Sequence, residues 1–228
     1  KINTPYGIIE EKIPESYVLD NTSRSKSPIQ VNYKIIHNNT IGLDLPNNEI
    51  LDLSAGKSLI IDPTPDLLWG TYVGGNSIDI GNSIATDANG NIYMAGVTAS
   101  SNNISTIGVF QNAIQAFADG FVVKFNSNGG RLWGTYYGGN DATFINKVVS
   151  DNAGGAFILG DTYATSNISS TPSHQPAHGN TGGIDCFLAR LNASGGRLWG
   201  TFYGGIDDDY SYGLSSDATS VYIVGETT

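Results

Sequence analysis

Cysteine is almost absent: Cys186 is the only one in 228 residues, so no disulfide staples this chain. No apolar run approaches the roughly twenty residues needed to cross a bilayer as a helix. The chain opens at Lys1 with no charged-then-apolar leader, so any signal peptide is expected to have been removed or to lie outside it. Charge is sparse and one-sided. Only 14% of residues are charged, and 11 basic against 21 acidic residues give a net charge of −10. With no basic cluster, such a surface repels a phosphate backbone, which excludes nucleic acid as a partner. Histidine is limited to His37, His174 and His178. What the chain has in quantity is glycine, 29 residues, as suits a turn-rich, all-β protein.

All three tryptophans stand in one recurring phrase. It reads Leu67-Leu68-Trp69-Gly70-Thr71-Tyr72-Val73-Gly74-Gly75, returns at Arg131–Gly139 around Trp133, and again at Arg197–Gly205 around Trp199. The tryptophans are 64 and then 66 residues apart. Aromatic and β-branched residues closed by a Gly pair read as a strand followed by a sharp turn. Repetition at near-constant spacing marks a repeat architecture.

The rest of the unit recurs in register. A first strand (Gly81–Asp87, Ile145–Asp151, Ser211–Asp217) precedes an apolar second strand (Ile92–Gly96, Ala156–Gly160, Val221–Gly225). A polar loop of about twenty residues, long for a simple connection, leads to a third strand (Phe121–Phe125, Phe187–Leu191), and an Asn/Gly turn leads back to the Trp strand. Each unit is therefore four antiparallel strands in up-and-down order. The second strand is apolar along nearly its whole length, so both its faces must be covered, as in sheets packed between similar sheets. The expected fold is all-β, a partial β-propeller of four-stranded antiparallel blades preceded by a small β-rich domain. The Trp strand is expected outermost in each blade and the Ser83-Ile84-Ala85 strand innermost.

Three motifs carry a resemblance to a known family: Leu68-Trp69-Gly70-Thr71-Tyr72, then Ser83-Ile84-Ala85 with Asp87, Gly90, Asn91 and Tyr93, then Phe121-Val122-Val123-Lys124-Phe125-Asn126. Residues 67–228 resemble the SBBP-type β-propeller repeat of bacterial surface and secreted proteins. Lys57–Pro63 resembles the end of the β-rich domain that often stands before such propellers. The resemblance implies a large, exported protein of the Bacteroidetes type, with type IX secretion.

The expected domains are 1–66, a partial N-terminal β-rich domain, and 67–228, the propeller stretch. The latter divides into a closing strand 67–75, blades 76–139 and 140–205, and a partial blade 206–228. In the first domain Ile8–Ile13, Val31–Ile36, Thr40–Leu45 and Leu59–Ile61 read as strands, Asn21–Pro28 and Pro46–Asn48 as turns. Asp62-Pro63-Thr64-Pro65 reads as a stiff connector. Two and a half blades cannot close a ring, so the remaining blades are expected elsewhere, with Leu67–Val73 completing the last one.

Several side chains invite a chemical reading. His174 and His178 share a loop just ahead of Asp185 and Cys186, but their spacing fits no zinc motif, and a solvated loop accounts for them. Cys186 reads as a small buried apolar residue. Asp87, Asp151 and Asp217 recur at the end of each first strand, which points to a turn-capping role rather than catalysis. Asp207-Asp208-Asp209 is the densest acidic cluster. Calcium there is the sharper reading and a solvated turn the plainer one, since the equivalent loops hold only Asp79 and Asp141. No catalytic, cofactor or metal residue is assigned. Loops 99–118 and 163–184, rich in Ser, Asn and Thr with Phe110 and Tyr163, suit a protein or glycan ligand, or serve as spacers. The expected function is an extracellular or cell-surface scaffold or binding module without enzymatic activity. A carbohydrate-active enzyme using the channel, or a purely structural spacer, are the alternatives.

Overall fold

The computed structural model describes the backbone of the chain apart from residues 1, 5–6, 10–14, 38–39, 45–55, 63–68, 180–181 and 218. The chain divides into two compact units, Lys1–Leu67 and Leu68–Thr228. In the first unit β1 (Ile2–Thr4) pairs with β2 (Gly7–Ile9). The strand β3 (Glu15–Asp20) lies between β4 (Lys26–Ile29) and β7 (Lys57–Asp62), and β5 (Asn32–His37) pairs with β6 (Thr40–Asp44). The expected turn at Asn21–Pro28 is shorter than its composition suggested. Asp20 Oδ1 accepts the N–H of Thr22 and Ser23, which closes the turn early, and Arg24 takes a φ of 60°. The chain is then extended from Lys26, with Pro28 tolerated because β4 is an edge strand. The expected turn at Pro46–Asn48, most of the connector, and residues 10–13 lie outside the described residues.

The second unit contains two complete four-stranded sheets. One is β8 (Asp79–Thr86), β9 (Ile92–Thr98), β10 (Asp119–Phe125) and β11 (Arg131–Tyr137). The next is β12 (Thr143–Ser150), β13 (Ala156–Thr162), β14 (Asp185–Leu191) and β15 (Arg197–Tyr203). A third sheet holds β16 (Asp209–Ser216) and β17 (Val221–Thr227). In each, sequential strands are spatial neighbours and antiparallel. This is the up-and-down blade of a partial β-propeller.

The first strands converge, and the Trp strands β11 and β15 form the opposite edge. Every first strand carries a bulge, at Asn82, Asn146 or Tyr212. The extra residue reaches the next blade: Asn82 Nδ2 donates to the Ile145 carbonyl at 2.9 Å, and Asn146 Nδ2 to Ser211 Oγ at 3.1 Å. The bulge also explains a recurring glycine in the second strand. A Cβ on Gly96, Gly160 or Gly225 would meet the carbonyl oxygen of Ile80, Phe144 or Tyr210 at 1.9, 2.0 and 2.3 Å.

The main core lies between the first two blades, where Tyr93, Ala95, Trp133 and Tyr137 of one pack on Ile145, Val148, Ile158 and Phe187 of the other. Tyr137 and Phe187 stack at 5.2 Å and 9°. Position matters more than residue type here. Val148 is 3% exposed with a blade before it, whereas Ile84, at the same place in the first blade, is 71% exposed.

The first copy of the Trp phrase departs from expectation. Residues 69–75 are not a strand, and Leu67 and Leu68 lie outside the described residues. A strand needs a ladder partner. The strands β10 and β14 supply one to the second and third copies, but among the described residues no strand pairs with the first copy. Its tryptophan nevertheless sits as the second one does. Trp69 Nε1–H donates to the Ser127 carbonyl at 3.0 Å, and Trp133 Nε1–H to the equivalent Ala193 carbonyl at 2.8 Å. In both turns a left-handed glycine lies under the indole, Gly129 (φ 80°) and Gly195 (φ 79°). Each Trp thus caps the third-to-fourth-strand turn of the following blade.

Candidate functional site

The end of the propeller stretch that carries the long loops is the natural place for recognition, and its stems prove to be part of the repeat. Ile104 and Ile168, 64 residues apart, are fully buried. Arg131 donates from Nη1 to the Asn103 carbonyl at 2.8 Å and from Nη2 to that of Ile104, and Arg197 Nη1 donates to the carbonyls of Asn167 and Ile168 at 2.6 and 3.1 Å. Ser105 and Ser169 hydroxyls donate to the carbonyls of Asn112 and Pro176, each at 2.6 Å. Gln111 Oε1 accepts Gly138 N–H at 2.9 Å while its Nε2 donates to Asp119 Oδ2 at 2.6 Å. Gln175 repeats both bonds with Gly204 and Asp185 at 3.2 and 3.4 Å. Loops 99–118 and 163–184 are therefore held by the same bonds, although many of their residues differ. The signal was in the sequence, as Asn103-Ile104-Ser105 against Asn167-Ile168-Ser169 and Gln111 against Gln175. It is masked because the intervening residues differ.

Beside exposed polar residues such as Asn102 and Thr165, the loops hold apolar side chains in the open. Ile107 is fully exposed and Phe117 is 75% exposed, while Phe110 is part-buried against Tyr137 at 5.2 Å. Tyr163, at the start of the second loop, stays partly open.

The ionisable residues singled out from the sequence are largely occupied. His174 stacks on Tyr203 at 4.9 Å, whereas His178 is buried, with Nε2 3.2 Å from the Thr162 carbonyl and Nδ1 3.6 Å from Asp185 Oδ1. The side chain of His37 lies outside the described residues. Burial, reinforced by the carboxylates of Asp161 and Asp209, pushes the Cys186 thiol up to about 12, so it stays protonated at neutral pH. Among the described residues no group of three or more His, Cys, Asp or Glu is placed to hold a metal ion.

Asp87, Asp151 and Asp217 cap turns. Each accepts two backbone N–H groups, from Asn89 and Asn91, Ala153 and Gly155, and Thr219 and Ser220. For Asp87, burial works to raise the pKa, but the bonds from Asn91, Asn89 and Tyr93 outweigh it and hold the group below the usual carboxylate range. In the exposed turn, Asp217 is held at about 2, first by the Thr219 N–H and then by the Tyr222 hydroxyl. Burial instead raises Asp119 and Asp185, each of which keeps one buried oxygen without a hydrogen-bond partner. Asp119 was not singled out in the sequence, where a lone Asp at the start of a strand carries no signal, and Asp185 was noted only beside the loop histidines.

The acidic cluster is divided among structural duties. Asp209 is buried and its Oδ2 accepts Gly205 N–H at 2.7 Å, as Asp79 Oδ2 accepts Gly75 N–H at 2.8 Å. Asp208 Oδ1 accepts Ile184 N–H at 2.9 Å, which leaves Asp207 exposed. A hard cation needs several converging oxygens. Thermal melts with and without a chelator are therefore expected to superimpose, and a drop of many degrees on chelation would restore calcium as the reading.

Residues 68–104 match the family model described as a β-propeller repeat, SBBP. No curated protein matches the chain. The matched stretch runs from the first Trp phrase through the second strand of the first blade, and the following blades repeat its strand order, bulge and turn. The chain carries a β-propeller repeat of the SBBP type.

Proposed function

We propose that the chain is a non-enzymatic recognition scaffold, displayed outside the cell as part of a larger exported bacterial surface protein, with type IX secretion as its route. The observation that carries this reading is the contrast within the long loops. Their stems are fixed by the repeated Arg, Gln and Ser bonds, while Ile107 and Phe117 are held out in solvent. Apolar side chains fixed in the open on a rigid frame suit contact with a partner surface or the apolar face of a sugar. The net charge of −10 favours neutral or cationic ligands over anionic ones. The raised carboxyls Asp119 and Asp185 do not favour the enzyme alternative, because they stand at equivalent places in successive blades and are buried.

The test is binding of the intact chain to a glycan array beside a Phe117→Ser variant. A defined set of glycans bound by the chain and lost in the variant is expected. Equal signal from both would put binding away from Phe117, and none from either would leave the spacer reading in place. Protease accessibility on whole cells of the native host tests surface display.

A further inference from the structure

Asn-Gly is a dipeptide prone to rearrange by itself, because glycine carries no side chain to keep its backbone nitrogen away from the preceding amide. The chain holds two, Asn89-Gly90 and Asn128-Gly129. The first lies in the turn between β8 and β9, the second in the turn between β10 and β11. Both turns are built alike. The side chain of Asp87 or Asn126 accepts the N–H two residues on, from Asn89 or Asn128, each at 3.0 Å. Gly90 and Gly129 follow in the left-handed region, at φ 74° and 80°, and donate their N–H groups back to the Asp87 and Asn126 carbonyls at 3.0 Å.

The asparagine is not what makes these turns. In the second blade the equivalent turns carry Ala153 before Gly154 and Ser194 before Gly195. They keep the left-handed glycine, at φ 87° and 79°, and the same bond from Ala153 N–H to Asp151 and from Ser194 N–H to Asn192, each at 2.9 Å.

The two asparagines differ in what covers them. Asn89 and Gly90 are both exposed, and a Cβ on Gly90 would meet only Ser127 Cβ, at 3.3 Å. Gly129 is part-buried under the Trp69 indole, whose ring atoms a Cβ there would meet at 2.6 to 2.9 Å. Trp69 Nε1–H also donates to the carbonyl of Ser127, the residue before Asn128, at 3.0 Å. For the ring to close, the glycine N–H must leave its turn bond and the nitrogen must swing onto the side-chain carbon. That is a local opening, and its free energy sets the rate. The turn at Asn89 opens alone. The turn at Asn128 opens only when the Trp69 contact is broken with it.

We propose that Asn89 is a site of spontaneous modification, converting to a mixture of aspartyl and isoaspartyl forms, and that Trp69 shields Asn128 from the same reaction. The Gly90 nitrogen, having lost its proton to base, bonds to Asn89 Cγ. The side-chain nitrogen leaves as ammonia, and a five-membered imide remains. Water then adds to one of the two imide carbonyls and that carbonyl's bond to the ring nitrogen breaks. One opening gives an ordinary aspartyl peptide, the other an isoaspartyl peptide whose chain runs through the former side chain. Water is the only co-reactant. Either product adds a carboxylate two residues from Asp87. The isoaspartyl form also lengthens the backbone by a methylene, which displaces the Gly90 and Asn91 N–H groups from the oxygens of Asp87. This turn is at the other end of β9 from the first long loop, so the inference stands apart from recognition by the loops.

The experiment ages the full chain in mildly alkaline buffer at body temperature. Peptides containing positions 89 and 128 are then followed by mass spectrometry, and isoaspartate by methyltransferase labelling. In the folded chain, conversion at Asn89 is expected to run on the order of tenfold ahead of Asn128, and in urea the two should be equal. Trp69→Ala should bring Asn128 up towards Asn89. Asn89→Ala, which copies Ala153, should abolish conversion in that turn and leave the fold intact. Equal rates at the two sites in the folded chain, or a difference that persists in urea, would overturn the proposal. So would conversion at Asn89 no faster than at exposed Asn102, which precedes Asn103 rather than a glycine. An Asn128 rate unmoved by Trp69→Ala would overturn the shielding.

Discussion

Replacing Trp133 by alanine is expected to lower the unfolding free energy by about 3–5 kcal/mol, the range for removing a large buried side chain. Trp133 is 4% exposed, meets Tyr93 edge-on at 6.3 Å, and donates its indole N–H to the Ala193 carbonyl of the next blade. The change therefore opens a cavity and leaves that carbonyl without its donor at the same point. Trp199 gives the internal comparison. It occupies the same place in its strand, touches Phe157 at 6.0 Å, and is only part-buried, lining an open groove with Pro172, His174 and Tyr203. Trp199→Ala should cost distinctly less. Chemical denaturation of the two variants checks the order. A loss below about 0.5 kcal/mol at Trp133, typical of surface sites, would mean that the indole is a surface feature.

Lys124→Met should be nearly as damaging, at about 3 kcal/mol, because removing one partner of a buried pair strands the other. Lys124 is 4% exposed, donates to the Gly154 carbonyl of the next blade at 2.7 Å, and faces Asp87. The methylene stem is replaced by a side chain of similar length, so the loss isolates the charge. Asp87 keeps its bonds from Asn89, Asn91 and Tyr93, which limits the damage. Lys124→Arg should recover most of the stability, since arginine does the same duty at position 190. Unfolding midpoints of the two variants decide it. If Met and Arg are equally tolerated, the Lys124 charge contributes nothing to stability.

The blade was legible from the chain because its cause is local. The strands alternate with Asn/Gly turns, Asp87, Asp151 and Asp217 cap their own turns, and each strand of a blade pairs with its neighbour in sequence. The loop stems were half legible. The residues of Asn103-Ile104-Ser105 and Gln111 recur, but their partners Arg131 and Gly138 lie more than twenty residues away, and only folding brings them together.

The sequence by itself determined the repeat, its four-strand order, the turns, and the acidic, disulfide-free character of the chain, because each follows from side-chain type at short range. Tertiary structure decided which copies of the same residue are buried. Val148 and Ile84, or Tyr93 and Tyr222, are alike in sequence context, yet one of each pair is sealed by a neighbouring sheet and the other is not. It also decided that the Trp69 segment is not a strand, although its residues match those of β11. Backbone groups form a ladder only with a partner strand, and burial needs a second surface, and neither can be read from the segment alone.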